Sequence, residues 1–73
     1  MADIAVRSEV AGVVARVAAM VGHRVAEGDE IIIIEAMKME LPVLAPASGV
    51  VAAILVAEGE MVSEGQAIAT LSR

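Results

Sequence analysis

Hydrophobic and polar positions along the chain fall into short runs punctuated by glycine, and the runs come twice. The stretch "AGVVARV" at Ala11–Val17 returns as "SGVVAAI" at Ser48–Ile54, and "VAEGDEI" at Val25–Ile31 returns as "VSEGQAI" at Val62–Ile68. Gly12, Gly22 and Gly28 reappear as Gly49, Gly59 and Gly65, an ungapped offset of 37 that maps residues 1–36 onto 38–73. Ten of the mapped pairs are identical, which is more than apolar composition alone gives in a fixed register. The chain therefore contains an internal repeat.

Each half predicts the same elements. A short strand comes first (Ile4–Val6, then Leu41–Val43), and a longer one follows the glycine (Gly12–Ala19, Gly49–Val56). A turn at Gly22 or Gly59 leads to a brief extended piece at Val25 or Val62. A tight "EG" turn then opens the last strand (Glu30–Ile34, Ala67–Leu71). Glycine suits these turns because positive φ costs it little. Short strands at regular spacing predict an all-β sandwich or barrel, and two equivalent halves predict a pseudo-two-fold axis relating two small sheets.

The boundary between halves is the stretch "IIIIEAMKMELPVL", Ile31–Leu44. Its isoleucines favour a strand, whereas Glu35–Leu41 is built of good helix formers. A helix there is the alternative reading. Seven residues make a marginal helix, and Pro42 biases Leu41 away from helical angles. The stretch is also too long for one strand of so small a protein, so a turn is expected. Glu30–Ile34 then pairs antiparallel with Leu41–Val43, and by the offset Ala67–Leu71 pairs with Ile4–Val6. The counterpart of the turn at Met37–Lys38 is the meeting of the termini. Lys38 is expected at one end of the molecule and the termini at the other.

Length and composition narrow the function. Seventy-three residues imply a single domain, 1–73. There is no cysteine and one histidine, so neither a disulfide framework nor a zinc site is expected, and the core must be aliphatic. A net charge of −5 and the lack of aromatic residues argue against nucleic-acid binding. The longest uncharged run, Leu41–Ala57, holds two prolines and a glycine and is a poor membrane span. The start "MADIAVRSEV" lacks the features of a signal peptide. No membrane association is expected, and the absence of cysteine is compatible with a cytoplasmic location.

The tip itself breaks a local rule. Two-residue hairpin turns prefer Asn-Gly or Asp-Gly, yet here the sequence reads Ala36-Met37-Lys38-Met39. Such violations concentrate at functional sites. A lysine held on a tip extends a flexible stem that a partner active site can deprotonate and acylate, although a solvated surface lysine is the plainer reading.

"EAMKME" at Glu35–Glu40 resembles the attachment motif of the biotinyl domain family, the carboxyl carriers of biotin-dependent enzymes. The similarity extends over nearly the whole chain. "APASGVV" at Ala45–Val51 looks like the family's strand entry, and the two "EG" segments resemble its repeats. The resemblance implies a flattened eight-stranded barrel of two four-stranded sheets, with biotin joined by an amide to Lys38. It implies a swinging-arm carrier without catalysis of its own. Its partners are then a biotin protein ligase, a biotin carboxylase using ATP and bicarbonate, and a carboxyltransferase. Some bacterial acetyl-CoA carboxylase carriers have a "thumb" between the second and third strands. Ala19–Val25 leaves no room for one, which weakens the link to acetyl-CoA. The chain resembles the thumbless type, as a stand-alone carrier or an excised domain.

Around the lysine, the resemblance gives Met37 and Met39 a role in recognition by the carboxylating partner, against plain packing on the hairpin. Ala36 and Glu35 belong to the motif, while Glu35 and Glu40 otherwise read as solvated strand-end residues. His23 reads as a surface turn residue. The acidic residues at the turns, among them Glu27, Asp29 and Glu64, read as solubilising charge. No catalytic constellation is legible. Two other functions compete. One is lipoyl attachment on the same fold, whose motif usually lacks methionines on both sides. The other is an unmodified barrel-sandwich module that binds a protein partner.

Overall fold

The computed structural model describes residues 3–73; Met1 and Ala2, where the sequence repeat begins, lie outside them. The described residues form eight strands: β1 (Asp3–Arg7), β2 (Gly12–Val17), β3 (Arg24–Val25), β4 (Glu30–Ala36), β5 (Met39–Leu44), β6 (Gly49–Ile54), β7 (Met61–Val62) and β8 (Ala67–Ser72). None of them is helical, so the helix over Glu35–Leu41 does not form. The β-branched run Ile31–Ile34 and the pairing of β4 with β5 override local propensity there.

The strands make two four-stranded sheets, ordered β1-β8-β6-β3 and β5-β4-β2-β7, with antiparallel pairing throughout. A shift of 37 residues converts one order into the other, as a pseudo-two-fold axis relating two sheets requires. Each sheet, however, takes two strands from each half. β8 carries β1 of the other half, and β3 and β7 likewise cross over to β6 and β2. Neither half can therefore satisfy its backbone alone.

The equivalence reaches individual hydrogen bonds. The Ser8 amide donates to the Gln66 carbonyl at 2.9 Å, as the Ala45 amide does to Asp29 at 2.8 Å. Gly22 donates to Val51 at 2.8 Å, as Gly59 does to Val14 at 2.8 Å. The β2–β4 register shifts between Val14 and Arg16, and the β6–β8 register shifts between Val51 and Ala53. Gly22, Gly28, Gly59 and Gly65 all have positive φ, between 83° and 93°, as the repeated turns demand.

Strand bounds differ from the sequence pattern in a consistent way. β2 and β6 stop two residues short of the expected Ala19 and Val56. At the β2 exit, the Ala18 and Ala19 amides converge on the one carbonyl of Ile31, which ends the ladder. β4 and β5 are longer than expected because their pairing runs on to Ala36–Met39. Pro42 is accommodated because β5 is an edge strand.

The core is aliphatic, with Val6, Val14, Ile32, Ile34, Ile68 and Leu71 essentially sealed from solvent. Ser8 is the one buried polar residue among the described residues. Its hydroxyl donates to the Val10 carbonyl at 2.6 Å and accepts from the Val10 amide at 3.3 Å, so it carries no unpaired group.

The strand path separates two ends. Asp3 pairs with Ser72, so β1 starts where β8 finishes. β1 then runs to Arg7, opposite Ala67, and the chain crosses by residues 8–11 to Gly12, beside Ala36. Asp3 and Ser72 thus sit a strand and a loop away from the β4–β5 turn, on a body measuring 36 × 17 × 17 Å.

Candidate functional site

The β4–β5 hairpin carries the sequence-predicted residues at its apex. Its last pair is Ala36 with Met39, leaving Met37 and Lys38 as a two-residue turn. Both adopt left-handed backbone angles, with φ of 53° and 64°. Two successive positive-φ residues match the twist of a tight hairpin, but a β-carbon makes that conformation costly, by roughly 1–2 kcal/mol per residue. Six paired positions behind the turn hold it in place.

The turn throws its side chains outward. Met37 is 93% exposed and Met39 58% exposed. Packing on the hairpin does not account for Met37. Lys38 is exposed between them, and it is the chain's one lysine. Glu35 is exposed, and Ala36 is half-buried on the inner face.

Behind the apex, Glu35 faces Glu40 directly across the hairpin. Directly opposed like charges destabilise a sheet. The equivalent pair at the other end is Ser72 with Asp3, which avoids the conflict. Val13 pairs with both Glu35 and Met61, so an outer row Met61–Val13–Glu35–Glu40 runs across the sheet just below the turn. Sequence reasoning gives Met61 no role, and no local pattern marks it.

Gly12 is the residue whose purpose the structure adds. A β-carbon built there would lie 2.5 Å from the Glu35 carbonyl oxygen and 2.7 Å from Ile34 Cγ2. Glycine at this position lets β2 close against β4 at the root of the hairpin. The repeat carries the signal for it, since Gly49 makes the same approach to the Ser72 carbonyl.

Among the described residues, no group of three or more histidine, cysteine or acidic side chains gathers as metal ligands do. His23 and the acidic residues Glu27, Asp29 and Glu64 are exposed, at turns outside the β4–β5 hairpin. What the hairpin offers chemically is one primary amine, presented clear of the body on a conformationally fixed turn.

The profile described as "Biotin-requiring enzyme" of the biotin/lipoyl family matches residues 1–71. The chain belongs to the biotin/lipoyl family. A relative in Mycobacterium leprae, called a biotinylated protein TB7.3 homolog, is 41% identical over 46 residues. That match covers 63% of this chain and 65% of the relative, so the chain spans less than two thirds of it. Among solved structures, a segment of Kluyveromyces lactis urea carboxylase superposes with a TM-score of 0.94 at 40% identity. It covers 99% of this chain but 6% of that enzyme. The lipoyl domain of the 2-oxoglutarate dehydrogenase complex of Azotobacter vinelandii superposes with a TM-score of 0.71 at 35% identity, covering 86% of this chain and 80% of that one. The two-sheet, all-strand architecture is thus the biotinyl/lipoyl barrel-sandwich fold.

Proposed function

We propose that this chain, as a single carrier domain over residues 1–73, carries biotin through an amide on the Nζ of Lys38 and serves a biotin-dependent carboxylase. The observation that carries the proposal is the turn. The sequence's one lysine sits at the apex of a hairpin, exposed, with two left-handed residues holding it there.

Bound biotin supplies a ureido nitrogen that accepts a carboxyl group in one active site and yields it in another. The chain's own residues do the rest. Lys38 tethers the group and so raises its local concentration at both sites. Met37 and Met39 offer partners soft, adaptable contacts at the apex. Glu35, Ala36 and the close-packed Gly12 hold the apex at a set height above the body. The chain adds no catalytic group. A biotin protein ligase would attach the cofactor, and a biotin carboxylase and a carboxyltransferase would use it. The cytoplasm is the compartment we assign, consistent with a chain that has no cysteine.

Lipoyl attachment is the second reading, since a lipoyl domain shares the fold. Methionine on both sides of Lys38 favours biotin. A streptavidin blot with intact and fragment mass on protein from its native cell separates the readings. A biotin increment on Lys38 supports the proposal, a lipoyl increment replaces it with the second reading, and an unmodified Lys38 rejects both.

A further inference from the structure

One recess adjoins the hairpin and has no part in presenting the lysine. It is a groove of about 300 Å³ along the seam where β1 of one sheet approaches β5 of the other. Val10, Ile34, Leu41 and Val43 supply apolar lining, and Arg7 and Glu9 supply charged groups. Its volume is at the lower end of small-ligand sites.

The hairpin's inner face leads from the lysine to this groove. Side chains alternate along a strand, so Met39, Leu41 and Val43 project from the same face of β5, and Met39 pairs with half-buried Ala36. An apolar track therefore runs from the apex to the groove. Its length suits one occupant. Leu41 lies three residues beyond Lys38, roughly 10 Å along a strand. In a biotinylated lysine, roughly eleven bonds separate the backbone from the bicyclic ring, an extended reach of about 14 Å that covers this distance. The ring has an apolar thioether side that matches Val10 and Leu41. It also has a ureido edge with both donors and an acceptor. Glu9 can accept from the ureido N–H groups. Arg7 can donate to its carbonyl, since among the described residues one of its five N–H donors is engaged, with the Gly65 carbonyl at 2.9 Å.

We infer that the biotinyl group on Lys38, when it is outside a partner's active site, folds back along Met39 and rests in the groove between β5 and residues 7–10. This inference rests on the biotin reading of Lys38. It gives the domain a resting position for its cofactor that shields the ring from solvent and must be vacated on docking.

The test is heteronuclear NMR on the full chain, comparing isotopically labelled biotinylated and unmodified protein, with mass spectrometry to locate the modification. The expected result is amide shift changes at Val10, Leu41 and Val43 as large as those at Ala36 and Met39. Cross-relaxation should appear between biotin ring protons and the methyls of Val10 and Leu41. Biotinylated Leu41→Gln should lose the changes at Val10 while the rest of its spectrum stays in place. If that variant does not fold, the wild-type comparison decides alone. Changes confined to residues 36–39 would overturn the resting position and leave the carrier function intact. Absence of biotin on Lys38 would overturn both.

Discussion

Gly12 and Glu35 stand so close across the β2–β4 pair that one added carbon on Gly12 would lie 2.5 Å from the Glu35 carbonyl oxygen. Gly49 has the same relation to Ser72, at 2.7 Å, far from the lysine. Gly12→Ala and Gly49→Ala should each cost about 1–3 kcal/mol in urea denaturation, because a packed contact must open. Only Gly12→Ala displaces the root of the hairpin. It should also slow biotin incorporation at temperatures where both variants are folded. Equal incorporation in the two would detach lysine presentation from this contact.

Met37 holds a left-handed conformation that asparagine tolerates better. Met37→Asn should raise the urea midpoint by about 0.5–1 kcal/mol equivalent with an unchanged m-value. An unchanged or lower midpoint would mean that the paired strands have already absorbed the strain.

The position of the amine should matter as much as its presence. Exchanging Lys38 and Met39 keeps composition and charge but moves the amine from the apex onto the hairpin's inner face. The exchanged protein should fold normally and take up biotin at least about tenfold more slowly, or about 1.4 kcal/mol of transition-state stabilisation. Lys38→Arg should fold and take up none. Undiminished uptake after the exchange would show that any exposed lysine serves.

Met37 and Met39 are too exposed to support the core. The double change Met37→Thr with Met39→Ala should therefore leave biotin uptake in place and slow carboxyl transfer between partner sites. Transfer at the wild-type rate would remove both residues from partner recognition.

The opposed carboxylates of Glu35 and Glu40 are a stability cost at an exposed site. Glu40→Arg should stabilise the fold by about 0.5 kcal/mol, with the gain shrinking as salt screens the pair. A salt-independent gain would point to packing instead of charge.

Much of this architecture is legible in the amino-acid sequence alone. The glycines at a constant offset announce the turns, the two-fold relation and the boundary at Met37–Lys38, because a positive φ or a close approach leaves a residue-specific mark. The pairing of β4 with β5 and of β8 with β1 follows from the same offset. The crossing of β3 and β7 into the opposite sheet is not legible. Two-residue strands such as Arg24–Val25 carry almost no pattern, and their partners are set by long-range closure. The left-handed turn on Met37 and Lys38 also leaves no mark, since neither residue is the glycine or asparagine that would announce it. Met61 and the groove beside Leu41 arise where strands from both halves meet, a relationship that no local window contains.

The separation of Lys38 from Asp3 and Ser72 has a mechanical meaning. A protein joined beyond Asp3 or Ser72 would extend from the end of the 36 Å body that is remote from the β4–β5 turn. The whole barrel then becomes a lever, and its pivot lies in the joining segment. Tilting it about that pivot sweeps the amine through an arc wider than the roughly 14 Å arm alone can describe. Distances between two active sites that exceed the arm's reach are then spanned by rotation of a rigid domain, with the side chain left to make the final insertion.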